Sequence, residues 1–151
     1  MKLLIVHHTP SPHCQEMFEA VVAGATVRAL REDAFGRMDP VEIAEAFRDP
    51  TDVHEPITSL VVLENTHAHS GGRPLPMDYV RTVAGIAHER GVPLHMDGAR
   101  FADAVAALGC TPADLTWRCG VDVLSLGATK NGAINAEAVV VFDPALAREI
   151  P

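Results

Sequence analysis

Apolar residues fall in short runs separated by longer stretches of helical period. Leu3–Val6, Val27–Leu30, Leu60–Leu63, Pro93–Met96, Val121–Leu126 and Ala138–Phe142 are rich in Val, Leu or Ile and bounded by Gly, Pro or Asp, which predicts six strands. Between them, Met77–Arg90 repeats Val80, Val83, Ile86 and Ala87 at the spacing of one helix face and meets a stop at Gly91. Phe101–Leu108 reads as a second helix, ended by Gly109. A third opens at Thr111, with Pro112 at the first helical position and Asp114 as the acid of a capping box. Arg48–Thr58, with two prolines and mixed charges, reads as an irregular surface connection. Strands alternating with helices predict the α/β class: three layers, a sheet of mainly parallel strands with helices on both faces.

Charge narrows the function classes. The 151 residues carry a formal charge of -8 with no Lys/Arg run, so nothing is available to neutralise the phosphates of a nucleic acid or an anionic membrane. A small-molecule partner is expected instead. The apolar run Leu3–Val6 meets His7 and His8 at once and is too short for a signal core or a membrane span, so the location is expected to be cytoplasmic. Cys14, Cys110 and Cys119 are odd in number and have no C-x-x-C spacing, which implies neither a disulfide framework nor a zinc site. No metal is expected.

In open α/β sheets ligands bind beyond the carboxyl ends of the strands. Three of the predicted strands end in distinctive polar groups: Glu64-Asn65-Thr66-His67, Asp97-Gly98-Ala99-Arg100, and Gly127-Ala128-Thr129-Lys130-Asn131-Gly132. Lys130, between two glycines that let backbone approach a ligand, suits a Schiff base if burial lowers its pKa, and otherwise reads as a solvated loop lysine. Asp97 reads either as a helix N-cap or ion-pair partner, or as the carboxylate that keeps a pyridine nitrogen protonated. Arg100 could cap a strand–helix corner through a carboxylate contact. Glu64 could be buried and paired, or a loop acid.

The stretches LENTHAHSGGRPLPMDYV, LHMDGARFADAVAALG and DVLSLGATKNGAINAEAVVVFDP, in that order and spacing, resemble the middle of the threonine aldolase and β-eliminating lyase family of fold-type-I pyridoxal-phosphate enzymes. The resemblance runs from about Val27 to Pro144. It implies part of the large domain of a fold-type-I transferase, with pyridoxal 5'-phosphate (PLP) as cofactor. It further implies that Lys130 forms the Schiff base with PLP, that Asp97 binds the pyridine nitrogen, and that Arg100 holds the ring or the substrate side. His67 would lie near the substrate's β-hydroxyl and assist its deprotonation; Asn65 and Thr66 belong to the same motif. The implied reaction cleaves a β-hydroxy-α-amino acid, threonine to glycine and acetaldehyde, in a homo-oligomer with shared sites.

By the same resemblance a whole family member carries a glycine-and-threonine loop for the PLP phosphate, a histidine that stacks on the ring, and arginines for the substrate carboxylate. None is found in this sequence, so an incomplete and weakly active form is expected. Residues 1–26 differ in character from residues 27–151. MKLLIVHHTPSPHCQEMFEAVVAGA resembles the first strand, phosphate turn and helix of flavodoxin-like flavin oxidoreductases, which would put Thr9, Ser11 and the amides up to Gln15 at an FMN phosphate. The chain therefore reads as two segments, 1–26 and 27–151. An FMN-binding module and a non-catalytic α/β domain are the alternatives to the lyase.

Overall fold

The computed structural model describes residues 2–6, 25–49, 51–54 and 56–148, with side chains from Val27 onward. Six strands, β1 (Lys2–Val6), β2 (Ala25–Ala29), β3 (Ile57–Glu64), β4 (Leu94–Gly98), β5 (Val123–Gly127) and β6 (Glu137–Val141), form one sheet in the order β2-β1-β3-β4-β5-β6. The first five are parallel and β6 is antiparallel to β5. The sheet is thus mixed, with the mainly parallel character that alternating strands and helices predict. The phosphate turn expected at Thr9 to Gln15 lies outside the described residues.

Strand positions follow the apolar runs to within a few residues. The largest difference is at β3, which starts at Ile57, so the expected irregular connection 48–58 gives up its last two residues. The reason is pairing: Ile57 and Thr58 find partners in Lys2 and Leu3 of β1. Thr58 is buried, and its hydroxyl accepts a hydrogen bond from the Arg48 amide at 3.2 Å.

Five α-helices are described: α1 (Pro40–Ala46), α2 (Met77–His88), α3 (Phe101–Leu108), α4 (Pro112–Leu115) and α5 (Pro144–Ala147). At α4 the predicted capping box is present, with the Thr111 hydroxyl and the Asp114 carboxylate each accepting from the other's amide. Gly109 closes α3 in the left-handed conformation at φ 61°. The helix α1 was not anticipated, although Asp39-Pro40 is a start signal: the Asp39 carboxylate accepts from the Val41 amide at 2.7 Å.

Alternation along β4 divides the chain's polar and apolar work. Leu94, Met96 and Gly98 are buried, while His95 and Asp97 point to the opposite face. Leu94 and Met96 join Val61, Leu63 and Leu124 against Val80, Val83, Ala84 and Ala87 of α2, Ile43 of α1, and Phe101 and Ala104 of α3. Burying each of the larger aliphatic side chains contributes roughly 1.5–3 kcal/mol. From β1 the chain goes first to β2 on one side and then to β3 on the other. Such a reversal opens a crevice at the carboxyl ends of the two strands, which is where ligands enter open α/β sheets.

Two glycines with opposite surroundings test the packing. A methyl group at Gly98 would lie 2.6 Å from Leu124 Cδ1 and 2.9 Å from the Ser125 carbonyl oxygen, whereas at Gly85, inside α2, it would meet nothing within 4 Å. In urea unfolding Gly98→Ala should cost about 1–3 kcal/mol by overpacking, and Gly85→Ala should stabilise by about 0.5–1 kcal/mol through helix propensity.

Candidate functional site

Parallel register brings the strand-end residues into one row. Glu64 is paired with Asp97, and Asp97 with Ser125, so the three side chains leave the sheet on the same face at adjacent strand ends. His95, two residues before Asp97, shares that face and lies with Nε2 2.8 Å from Ser125 Oγ. Burial pushes the His95 imidazole below its ordinary pKa, against the opposing pull of Asp97, so it is neutral at pH 7.

The loop after β3 is pinned by Asn65. Its side-chain oxygen accepts from the Leu75 amide at 3.0 Å and its amide group donates to the Leu75 carbonyl at 3.4 Å. The His67 amide donates to the Arg73 carbonyl at 2.9 Å, so residues 65–75 close back on themselves. Asn65 and Thr66 are both buried; the structure gives Asn65 an architectural task at this point.

His67 has 0% exposure. The Ser70 amide donates to its Nδ1 at 3.2 Å, which leaves the proton of the neutral ring on Nε2. Nε2 lies 3.2 Å from Glu32 Oε2 and 3.9 Å from Glu64 Oε2. Gly36, at φ 78°, lies directly against the imidazole, where a Cβ would collide with Nδ1. The expectation set His67 beside a substrate; the described structure encloses the ring between two carboxylates and covers it with Gly36.

Glu64 is 3% exposed. Its Oε2 accepts from the Ala68 amide at 3.2 Å and its Oε1 lies 3.6 Å from Arg100 Nη1. Burial is the main reason that its pKa is raised to about 7; Asp97 adds to the rise, while the Ala68 hydrogen bond, Arg100 and Lys130 act against it. Arg100 takes the N-cap position of α3, and its Nη1 is buried without a hydrogen-bond acceptor. This placement matches the reading of Arg100 as a strand–helix corner held by a carboxylate contact. Asp97 is half-buried and spends one oxygen on the Ala99 amide at 2.9 Å, so it braces the turn ahead of α3 without being that helix's N-cap. Lys130 is exposed on the single 3₁₀ turn Thr129–Asn131 that follows β5. Gly127 brings that turn close: a Cβ there would sit 3.2 Å from Ala99 Cα.

Of the four residues singled out in the sequence, Asp97 and Arg100 lie at and just after the end of β4, Lys130 follows β5, and His67 lies in the loop after β3, 3.9 Å from Glu64. Glu32, His95 and Ser125 were missed. Period-two alternation from Asp97 back to His95 could have placed the histidine on this face; nothing local to Glu32 points to His67.

The described residues form an open α/β domain with a carboxylate, a guanidinium and an amine following its strand ends. A model of the beta-eliminating lyase family matches residues 5–150, and the chain belongs to that family. It is 41% identical over 114 residues to a low specificity L-threonine aldolase of Pseudomonas sp., covering 76% of this chain and 32% of the relative. With the low specificity L-threonine aldolase of Pseudomonas aeruginosa the identity is 39% over 120 residues, covering 80% and 34%. The fold is similar to that of a Leishmania major threonine aldolase, with a TM-score of 0.77 at 24% identity over 97% of this chain and 43% of that one. The chain spans about a third of the length of the curated relatives named here.

Glu64 makes a prediction whose sign is unusual for a carboxylate near an arginine. Its folded pKa of about 7 lies above its ordinary value of 4.5, so its contribution is fully present below about pH 4.5 and is lost as pH rises through about 7. Glu64→Gln keeps the acceptor for the Ala68 amide and removes the titration. Relative to wild type, the variant should gain stability between pH 5 and pH 8, by on the order of 3 kcal/mol. Urea midpoints at the two pH values check this; an equal difference at both would contradict it.

Proposed function

We propose that the chain carries the cofactor-anchoring part of a PLP-dependent carbon–carbon lyase that cleaves β-hydroxy-α-amino acids, threonine to glycine and acetaldehyde. The observation that carries this reading is the convergence of Asp97, Arg100 and Lys130 on the ends of β4 and β5. The residues fit the cofactor: Arg100 has a buried nitrogen lacking a hydrogen-bond acceptor, and Asp97 keeps one oxygen beyond the one bonded to Ala99. The similarity to low specificity L-threonine aldolases supports the substrate class.

Each residue then has a definite task. Lys130 would hold the cofactor through its amine; in this structure it is exposed, the solvated-loop placement and not the buried setting expected of a Schiff-base lysine. Asp97 supplies the negative charge that keeps the pyridine nitrogen protonated. Arg100, whose Nη1 faces Glu64 at 3.6 Å without a hydrogen bond, would offer an N–H to an anionic oxygen of ring or substrate. When bound, PLP supplies an electron sink for the pair released from the breaking Cα–Cβ bond. His67 serves the proton of the β-hydroxyl, and does so through its neighbours because its own surface is enclosed. A homo-oligomer and a cytoplasmic location complete the proposal; no helix among the described residues is long and apolar enough to cross a membrane. The division into segments 1–26 and 27–151 is kept as a proposal about ancestry, since β1 pairs with both β2 and β3 in the sheet.

Incubation with PLP followed by borohydride should fix one label, recovered by peptide mass spectrometry on Lys130 and lost in Lys130→Ala. A label spread over the surface amines, or FMN bound in preference to PLP, would overturn the reading.

A further inference from the structure

Glu32, His67 with Glu64, and Arg100 come from three separate stretches of sequence yet form one line of charge-bearing groups. From Glu32 Oε2 to His67 Nε2 is 3.2 Å, from His67 Nε2 to Glu64 Oε2 is 3.9 Å, and from Glu64 Oε1 to Arg100 Nη1 is 3.6 Å. Glu64 is the bridge. One of its oxygens faces the enclosed imidazole and the other faces Arg100, on the side where Asp97 and Lys130 also lie. Glu64 stands at the strand ends beside Asp97 and Ser125 and keeps 3% exposure, whereas the His67 ring has no exposed surface and is covered by Gly36.

We propose that Glu64 is a further catalytic residue, the group that takes the proton from the substrate's β-hydroxyl, and that His67 is a positioning residue behind it, oriented by Ser70 and Glu32. The proposal rests on the lyase reading above. In the step, the substrate O–H bond breaks and its proton bonds to the ionised Glu64 carboxylate. The O–H electron pair becomes the second bond of the aldehyde carbonyl, and the Cα–Cβ pair stays with Cα. The protonated Glu64 then releases that proton to water, and Cα takes one from water as glycine forms, so the protons balance and no oxidant or reductant is needed.

The surroundings suit a group that gains and loses a proton near neutrality. Asp97 on β4 favours the protonated form, while Arg100 ahead of α3 and Lys130 after β5 favour the ionised one. His67 and, behind it, Glu32 face the other oxygen. Burial and these charges bring the carboxyl to about 7, where acid–base catalysis is most effective.

The test uses the full chain loaded with PLP and compares two reactions of the same site: threonine cleavage, which moves the β-hydroxyl proton, and exchange of the glycine α-proton, which does not. Glu64→Gln should lower cleavage by on the order of 100-fold or more and change exchange by less than about threefold. His67→Gln should retain part of the cleavage with its acid limb displaced along the pH axis, a change that a purely structural loss would not produce. Independently of the cofactor, carbon-13 NMR of the glutamate-labelled chain should show a carboxyl titrating near 7 that is missing in Glu64→Gln. A Lys130 label together with an unchanged ratio of cleavage to exchange in Glu64→Gln would overturn the role of Glu64 alone, as would titration of every glutamate in the ordinary range. Absence of the Lys130 label and of both reactions in the wild-type chain would overturn the lyase reading, and this role with it.

Discussion

A carboxylate withdrawn from water at the end of a strand has to be bonded, paired or protonated, and the arrangement around Glu64 is a division among all three. The Ala68 amide bonds one oxygen, Arg100 pairs with the other, and a pKa near 7 makes a proton available as the third means. Each partner constrains a different segment. Ala68 belongs to the loop that Asn65 closes on Leu75, Arg100 sits at the start of α3, and His67 brings in the stretch with Glu32 and Gly36. Removing one charge from such a set leaves another buried without compensation, which commonly costs several kcal/mol. The site is therefore a mutual arrangement, and its parts are legible only together.

The sheet makes that arrangement possible by separating packing from chemistry. On β4, Leu94 and Met96 enter the core while His95 and Asp97 stay on the opposite face. Parallel pairing carries the same separation to β3 and β5, so Glu64, Asp97 and Ser125 stand side by side with no adjustment of individual side chains. Apolar packing supplies the stability, and the strand ends are left free to hold groups that destabilise the fold at neutral pH, as the raised Glu64 pKa does. Loss of some stability at a functional site, offset by packing elsewhere, is a general pattern in enzymes.

Much of the fold can be read along the chain, because its signals are local. The runs at Leu3–Val6, Pro93–Met96 and Ala138–Phe142 lie on β1, β4 and β6, Phe101–Leu108 is α3, and the Thr111 capping box opens α4. The early start of β3 was hidden because Ile57 and Thr58 become strand only by pairing with β1, and α1 was passed over although Asp39 and Pro40 announce it. At the site, Asp97, Arg100 and Lys130 stood out as polar groups just past apolar runs. Burial was not legible in the same way. The enclosure of His67 depends on Gly36 and Glu32, more than thirty residues earlier, and the choice between a paired and a loop role for Glu64 depends on Arg100; neither contact leaves a periodic trace in the sequence.

Asp97 is proposed to face the ring nitrogen of PLP while Lys130 holds the cofactor. Nitrogen-15 NMR of the chain loaded with PLP labelled at the pyridine nitrogen tests it directly, because the shift of that nucleus reports whether the nitrogen carries a proton. A nitrogen still protonated at pH 8 in the wild-type chain, and deprotonated in Asp97→Asn with the fold and the Lys130 linkage intact, is the expected result. A nitrogen that titrates identically in both proteins would contradict it and return Asp97 to bracing the turn at Ala99.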